Sequence, residues 1–167
     1  MKAILFFAAV FIVSSAQAKV TVKPGEPAPC VTITQMDVKG EASRSSCETS
    51  VAGKNLVLEF FATDCHWCVQ NLPVFEGFAA KFKGRASFRV VGEDKDPNLL
   101  RAFFGKRDFS NYEVAFDCES KVYDAFGIRG TPTLIVIGPN KKVKYVHLGT
   151  VESPAEIAEA EAAIVAP

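Results

Sequence analysis

Two cysteines separated by two residues are the clearest candidates for chemistry in this sequence. Cys65 and Cys68 follow the apolar run Asn55–Phe61 and open a stretch, His66–Phe82, whose apolar residues recur at helical spacing. A sulfur at the start of a helix lies beside unpaired backbone N–H groups and the positive end of the helix dipole, which favours the thiolate. We therefore predict that Cys65 is the nucleophile. Cys68, one turn inside the helix, is the predicted resolving thiol that closes a disulfide onto it.

Other uses of a Cys-x-x-Cys pair fit the sequence less well. A structural zinc site needs two more ligands, but the chain has only His66 and His147 and no second cysteine pair. Haem attachment needs a histidine directly after the second cysteine, where Val69 stands, and a peroxiredoxin needs a threonine three residues before its cysteine, whereas Thr63 lies two before Cys65. An inert structural disulfide stays open as an alternative, although so short a loop at a helix start is strained and reducible.

Composition places the chain among ordinary single-domain proteins. It has 167 residues, of which 49% are hydrophobic and 23% charged. Nineteen Lys and Arg residues balance nineteen Asp and Glu residues, so the formal net charge is zero. A chain without a basic excess lacks the electrostatic footprint of a nucleic-acid-binding protein, and we expect no nucleic-acid partner.

The first eighteen residues have the pattern of a secretory signal. Lys2 is followed by the apolar run Ala3–Val13 and then by Ala16-Gln17-Ala18, a small-residue cleavage pattern. We predict a cleaved signal peptide at residues 1–18 and a mature domain at residues 19–167. The apolar run is shorter than the roughly 20 residues of a spanning helix, and a retained anchor is the alternative. All five cysteines remain in the mature chain. They would therefore meet an oxidising compartment, which we take to be the periplasm.

The remaining pattern predicts one sheet flanked by helices. Three prolines between residues 24 and 29 indicate an extended N-terminal arm, and a short strand followed by turn residues 37–40 indicates a hairpin. Predicted strands follow at residues 55–61, 86–91, 133–137 and 143–148, and predicted helices at residues 66–82, 99–104, 120–126 and 154–165.

Three features together resemble the thioredoxin superfamily, and within it the secreted TlpA/ResA-like thiol:disulfide oxidoreductases. They are the N-terminal hairpin, the residues Phe60-Phe61-Ala62-Thr63 before the cysteine pair with Pro73 five residues after it, and the string Phe126-Gly127-Ile128-Arg129-Gly130-Thr131-Pro132-Thr133. The resemblance covers residues 24–149, and residues 94–116 match the insertion of TlpA-like proteins. It implies an α/β, thioredoxin-like fold: a central mixed β-sheet flanked by helices, with an N-terminal β-hairpin and a helical insertion.

The resemblance also implies where substrate binds. The string ending in Thr131-Pro132-Thr133 looks like the family's cis-proline loop, which packs opposite the cysteine pair. We expect the Thr131–Pro132 bond to be cis and the Thr131 backbone to pair with an extended substrate strand. Thr131, Pro132, His66 and Trp67 are the predicted substrate-binding residues.

Two positions depart from the family pattern. The family often carries a carboxylate two residues before Pro73, where this chain has Asn71. Conversely, Glu59 lies six residues before Cys65, where thioredoxin has a buried aspartate. Because a carboxylate inside an apolar strand is expensive to bury, we predict that Glu59 is the proton acceptor for Cys68. A structural carboxylate near the strand end is the alternative.

Three cysteines lie outside the pair. Cys30 and Cys47 bracket the predicted hairpin, and we predict a structural disulfide between them that leaves Cys118 free. Pairing of Cys118 with either of them stays open.

We therefore expect an exported thiol:disulfide oxidoreductase that exchanges the Cys65/Cys68 dithiol or disulfide with protein substrates, more as a reductant than as an oxidant. The resemblance implies a membrane partner that donates electrons to it or oxidises it. We expect a monomer with no cofactor and no metal. The alternative from another class is a Cu(I)-binding or delivery protein that uses Cys65, Cys68 and His66, since thiolates select soft metals.

Overall fold

The computed structural model describes residues 19–37, 40–47 and 53–166, within which the chain forms seven strands and four helices. The strands are β1 (Thr32–Asp37), β2 (Gly40–Ser45), β3 (Asn55–Phe61), β4 (Ala86–Gly92), β5 (Glu113–Phe116), β6 (Thr133–Ile137) and β7 (Val143–Leu148). The helices are α1 (His66–Lys81), α2 (Pro97–Phe104), α3 (Lys121–Phe126) and α4 (Pro154–Val165). None of the helices in these ranges is long and apolar enough to cross a membrane. The predicted signal peptide lies outside the described residues.

All seven strands belong to one mixed sheet in the order β2-β1-β5-β4-β3-β6-β7. The central strand β3 pairs parallel with β4 and antiparallel with β6, and β4 pairs parallel with β5. Hairpins close both ends of the sheet, β1 with β2 and β6 with β7. The predicted thioredoxin-like architecture is therefore confirmed.

Strand β3 divides the core into two layers, because its side chains alternate across the sheet. Every residue of β3 is buried. Val57 and Phe61 pack into the layer that also contains the buried faces of α1, α2 and α4. Leu58 and Phe60 face the opposite layer, which contains the buried residues of α3. The apolar run that predicted a central strand thus reflects a strand covered on both faces.

The N-terminal hairpin extends the sheet beyond β5. Strand β1 pairs with both β2 and β5, while the middle of the predicted turn, residues 38 and 39, lies outside the described residues. A buried arginine of β4 also forms a hydrogen bond with the hairpin, although β4 does not pair with either hairpin strand. The Arg89 side chain is 1% exposed, and it donates to the Ser45 carbonyl at 2.8 Å and to the Glu113 carboxylate at 2.7 Å. Ser45 ends β2, so this contact joins the end of the hairpin to the central strands.

The insertion contains a strand as well as the predicted helix. Helix α2 begins after Asp96, whose side chain accepts from the Asn98 N–H, and Pro97 stands in its first turn. Strand β5 follows and pairs with β4 in parallel, so the insertion forms a second β-α-β crossover. Sequence reasoning missed β5 because four residues are too few to show an alternating pattern.

Candidate active site

The cysteine pair lies at the junction between β3 and α1. Cys65 is the N-cap of α1, and its Sγ accepts a hydrogen bond from the Cys68 backbone N–H at 3.1 Å. The two sulfurs are joined in a disulfide. Cys65 is partly exposed, whereas Cys68 is fully buried. A sulfur that approaches from solvent can therefore reach Cys65 but not Cys68.

The turn that carries Cys65 is held by a carboxylate from the neighbouring strand. The Thr63 backbone N–H donates to both oxygens of Asp94, at 3.2 and 3.3 Å, and the Thr63 hydroxyl donates to the same carboxylate. Asp94 lies just beyond the end of β4, next to the end of β3. Sequence reasoning missed this contact. The available signal was the position of Asp94, since parallel neighbouring strands end at the same edge of a sheet.

The loop before β6 faces the cysteine pair. The Thr131–Pro132 peptide bond is cis, and the Thr131 carbonyl oxygen lies 3.6 Å from the Cys65 Sγ. The Thr133 hydroxyl donates to the Gly130 carbonyl at 2.8 Å and closes the loop upon itself. The structure thus brings Thr131 to the cysteine that the sequence assigns as the nucleophile.

His66 and Trp67 lie on the outer surface of the site. Both side chains are exposed, and their rings meet edge to face with centroids 5.4 Å apart. The Trp67 side chain is 57% exposed, the most of any large hydrophobic residue in the described chain. An apolar ring this exposed next to the cysteine pair is available to contact a partner.

The carboxyl group of Glu59 is buried beneath α1. Its Oε1 accepts from the Asn71 side-chain nitrogen at 2.8 Å, and its Oε2 has no hydrogen-bond partner in the described structure. Burial raises the pKa of Glu59 to about 7, and the hydrogen bond from Asn71 partly offsets that rise. A carboxyl group with such a pKa can accept and release a proton near neutral pH.

Asn71 itself is anchored on its other side. Its Oδ1 accepts from the Val151 backbone N–H at 2.8 Å, just before α4. Sequence reasoning treated Asn71 only as a missing carboxylate. Its spacing of three residues from Cys68 could have predicted that both lie on the same buried face of α1, because residues i and i+3 share a helix face.

Carboxylates also collect near Cys118, at the end of the sheet where Asp94 lies. Burial and then the charges of Asp117, Asp64 and Asp94 raise the pKa of Glu93. Cys118 is a free, half-buried thiol, and burial followed by the nearby carboxylates, Asp117 first, raises its pKa above the usual value. Cys118 is therefore a poorer nucleophile than an ordinary exposed thiol at neutral pH.

The predicted disulfide between the two cysteines that flank the hairpin is present. Cys30 and Cys47 form a disulfide that joins the residues on either side of the hairpin, with Cα atoms 5.0 Å apart.

No metal site is found in the described residues. No group of three or more His, Cys, Asp or Glu side chains in residues 19–37, 40–47 and 53–166 is arranged to hold an ion.

Comparisons with known proteins agree with this architecture. The Redoxin family model matches residues 23–164. The thiol-disulfide oxidoreductase ResA of Halalkalibacterium halodurans is 28% identical over 113 residues, which cover 68% of this chain and 62% of that protein. ResA of Geobacillus kaustophilus is 26% identical over 132 residues, which cover 79% of this chain and 73% of that protein.

Solved structures share the fold. A candidate thiol:disulfide interchange protein DsbE from Chlorobium tepidum superposes with a TM-score of 0.72 at 25% identity, covering 87% of this chain and 97% of that one. StoA from Bacillus subtilis superposes with a TM-score of 0.62 at 15% identity, covering 80% of this chain and 98% of that one. Since the family model spans the seven strands, the cysteine pair and the helices up to Ile164, the chain belongs to the Redoxin family, as a TlpA/ResA-like member of the thioredoxin superfamily.

Proposed function

We propose that this protein is an exported thiol:disulfide oxidoreductase that reduces disulfides in protein substrates. The observation that carries the proposal is the asymmetry of the cysteine pair. The Cys65 sulfur is accessible, accepts a helix N–H and lies beside the Thr131 carbonyl, whereas the Cys68 sulfur is buried behind it. The ResA relatives, which are named thiol-disulfide oxidoreductases, support the same class of reaction.

The reaction begins with the reduced protein. The Cys65 thiolate attacks one sulfur of a substrate disulfide, whose S–S bond breaks, and the released substrate thiolate takes a proton from water. Cys68 then gives its proton to Glu59 Oε2, and the new thiolate attacks the Cys65 sulfur of the mixed disulfide. The intramolecular disulfide forms and the second substrate thiolate leaves. Two electrons have passed from the cysteine pair to the substrate. A dithiol donor, which we place on a membrane protein, must reduce the pair again.

Substrate recognition is proposed at the surface around Cys65. The Thr131 backbone can add to an extended substrate strand, and the exposed ring of Trp67 can cover an apolar side chain of that strand. Recognition through the backbone would accept many sequences, which suits a protein that acts on several partners.

Two observations support an extracytoplasmic location. The pattern of residues 1–18 is that of a cleaved signal, and the Cys30–Cys47 disulfide suits an oxidising compartment. The test is to fuse residues 1–18 to a reporter enzyme that is active only outside the cytoplasm. Reporter activity supports export, and an inactive but expressed fusion contradicts it.

Activity and direction are tested together on the purified protein. We expect it to catalyse insulin reduction by dithiothreitol, and we expect Cys65→Ser to abolish that turnover. Equilibration with glutathione then gives the reduction potential of the pair. A value near that of thioredoxin, about −270 mV, supports a reductant, while one near that of DsbA, about −120 mV, contradicts it. Stoichiometric copper retained after reducing purification, with no insulin turnover, would contradict the whole assignment.

A further inference from the structure

The side-chain amide of Asn71 connects Glu59 to the backbone that precedes α4. Its nitrogen donates to Glu59 Oε1, and its oxygen accepts from the Val151 N–H, each at 2.8 Å. A backbone N–H can only donate, so the bond to Val151 requires the amide oxygen on that side. The NH2 group must then face Glu59. The orientation of Asn71 is fixed by its partners.

We infer that Asn71 is a positioning residue that holds the Glu59 carboxyl at Oε1 and leaves Oε2 as the oxygen open to the proton of Cys68. The inference rests on the proposed exchange reaction. Cys68 and Asn71 are three residues apart on α1 and both are buried, so they share the face of α1 that covers Glu59. An oxygen already paired with Asn71 is a poorer acceptor than one with no partner.

Within the described structure, Asn71 is the residue whose side chain forms a hydrogen bond with the Glu59 carboxyl group. The cross-strand neighbours of Glu59 in β4 and β6 are Val90 and Leu134, both apolar. The buried residues of α4, Ala160 and Ile164, are apolar as well. Among the titratable groups on the elements around Glu59, Cys68 of α1, Arg89 of β4 and Tyr123 of α3 are buried. The half-buried ones are Glu76 of α1, Lys144, Tyr145 and His147 of β7, and Glu156 and Glu161 of α4, and the others are exposed.

The three aromatic side chains among these groups contact residues other than Glu59. Tyr123 lies in the opposite core layer and donates to the Phe61 and Val91 carbonyls. His147 is the register partner of Leu134, one strand beyond it on the same face, and its ring nitrogen lies 3.0 Å from the Thr150 carbonyl. Tyr145 stacks on His147. None of these side chains forms a hydrogen bond to Glu59 in the described structure.

An amide at position 71 also avoids competition for the proton. A carboxyl group there would lie within hydrogen-bond distance of Glu59, and two such groups share one proton because they cannot both ionise at low cost. Asn71 instead donates to the ionised carboxyl and favours it. The protein thus combines an acid on β3 with an amide on α1, and the acid alone titrates.

Asn71→Asp is the sharpest test, because it keeps the shape and the acceptor for Val151 but removes the donor to Glu59. The measurement is the titration of side-chain carboxyl carbons by NMR in the oxidised protein, in which the paired cysteines do not titrate. We expect the upper titration step of the carboxyl pair that Asn71→Asp creates with Glu59 to lie at least about one pH unit above the wild-type titration of Glu59. Gln70→Asp is the matched control. It adds the same charge at the adjacent exposed residue, which lines the same cleft of about 240 Å³ between α1 and α4, and should leave Glu59 within a few tenths of a pH unit.

The exchange reaction supplies a second readout. The pH profile of mixed-disulfide resolution should move upward in Asn71→Asp by about the same amount as the carboxyl titration, and the rate should recover at higher pH. A merely structural role would lower the melting temperature without moving either profile. Asn71→Leu, which removes both hydrogen bonds, should also raise the pH at which Glu59 titrates, and it serves if the aspartate variant does not fold.

The outcomes separate the two proposals. If Glu59 titrates at the wild-type pH in the folded Asn71 variants, the positioning role is wrong, whatever the exchange activity. If the wild-type protein shows no thiol exchange, the proposed function fails, and the role of Asn71 in proton acceptance fails with it, even where the carboxyl titrations show the contact.

Discussion

The backbone N–H of Cys68 donates to the Sγ of Cys65 at 3.1 Å, so the buried cysteine supplies a hydrogen bond to the sulfur of the partly exposed one. In the reduced protein the same N–H, together with the positive end of α1, favours the thiolate form of Cys65. Cys68 lies one turn inside the helix and is fully buried. The two sulfurs therefore differ in environment before any substrate arrives.

This asymmetry predicts which single cysteine can be trapped on substrate. Cys68→Ala should accumulate mixed disulfides between Cys65 and substrate proteins, because nothing remains to resolve them. Cys65→Ala should accumulate none, since Cys68 is out of reach. Non-reducing electrophoresis with mass spectrometry of the adducts measures this. Trapping by Cys65→Ala alone would reverse the assignment.

Removal of the buried carboxylate should slow the resolving step. Glu59→Gln keeps the shape and can still bind Asn71, but it removes the proton acceptor. We expect exchange near pH 7 to slow by about 10-fold or more, within the usual range for a general base. Glu161→Gln, which removes a carboxylate from the surface pair with Lys81, is the control and should not change the rate. An unchanged rate and pH profile in Glu59→Gln would leave Glu59 a structural role only.

The same carboxyl predicts a pH dependence of stability. Folding raises the pKa of Glu59 from 4.5 to about 7, so the folded state binds this proton more tightly than the unfolded state does. Its contribution to the free energy of unfolding is therefore fully present below about pH 4.5, falls as the pH rises to about 7, and is level above that. The fall amounts to about 3 kcal/mol. Glu59→Gln lacks it and should become more stable than wild type at pH 8 by up to about that amount, with little difference at pH 4.5. Urea unfolding at the two pH values tests this, and an equal difference at both would refute it.

The hairpin disulfide should contribute to stability without contributing to exchange. The Cys30–Cys47 bond spans a sequence separation of 17 residues, and a loop of that size is worth about 3 kcal/mol in the chain-entropy model. The double variant Cys30→Ala, Cys47→Ala should melt at lower temperature and keep its redox activity. Cys118→Ala, which removes a free thiol, is the control. Peptide mapping that found Cys118 linked to either cysteine would contradict the pairing.

The exposed ring beside Cys65 should matter for protein substrates only. Trp67→Ala should raise KM for a protein disulfide several-fold and leave the reduction of a small disulfide unchanged, because a small substrate cannot reach both the ring and the sulfur. Val165→Ala is the matched control. Val165 is 38% exposed and ends α4, next to the start of β3 and so at the opposite end of the sheet from Cys65. Equal effects on both substrates would show that Trp67 does not contribute to the recognition of protein substrates.

Local signals were enough to predict most of the fold. The apolar run of β3, the change to helical spacing at Cys65, and the Ser153 cap before Pro154 with Glu156 in the capping box each involve residues close together in sequence. Strand β5 is different. Its four residues are placed by pairing with β4 and by the contact between Glu113 and Arg89, which is 24 residues away.

The site shows the same division. The spacing of Cys65 and Cys68 was enough to predict a disulfide-forming pair, and the lone carboxylate in an apolar strand was enough to single out Glu59, which is buried. The contacts that hold them in place could not be found in this way. Thr63 and Asp94 are 31 residues apart, and Asn71 and Val151 are 80 apart. Such pairs come into contact only when the sheet and its helices have assembled, so no local sequence pattern predicts them.

The buried guanidinium of Arg89 has a consequence for how the molecule opens. Strands β1 and β5 separate β2 from β4 in the sheet, yet Arg89 reaches from β4 to the last carbonyl of β2. Detachment of the hairpin by a local fluctuation would leave that cation buried without one of its acceptors, which is costly. Amide protons of the hairpin should therefore exchange with solvent mainly through larger openings that also disrupt β4 and β5. The hairpin, although it lies at the edge of the sheet, belongs to the same cooperative unit as the central strands that precede and follow α1 and its cysteine pair.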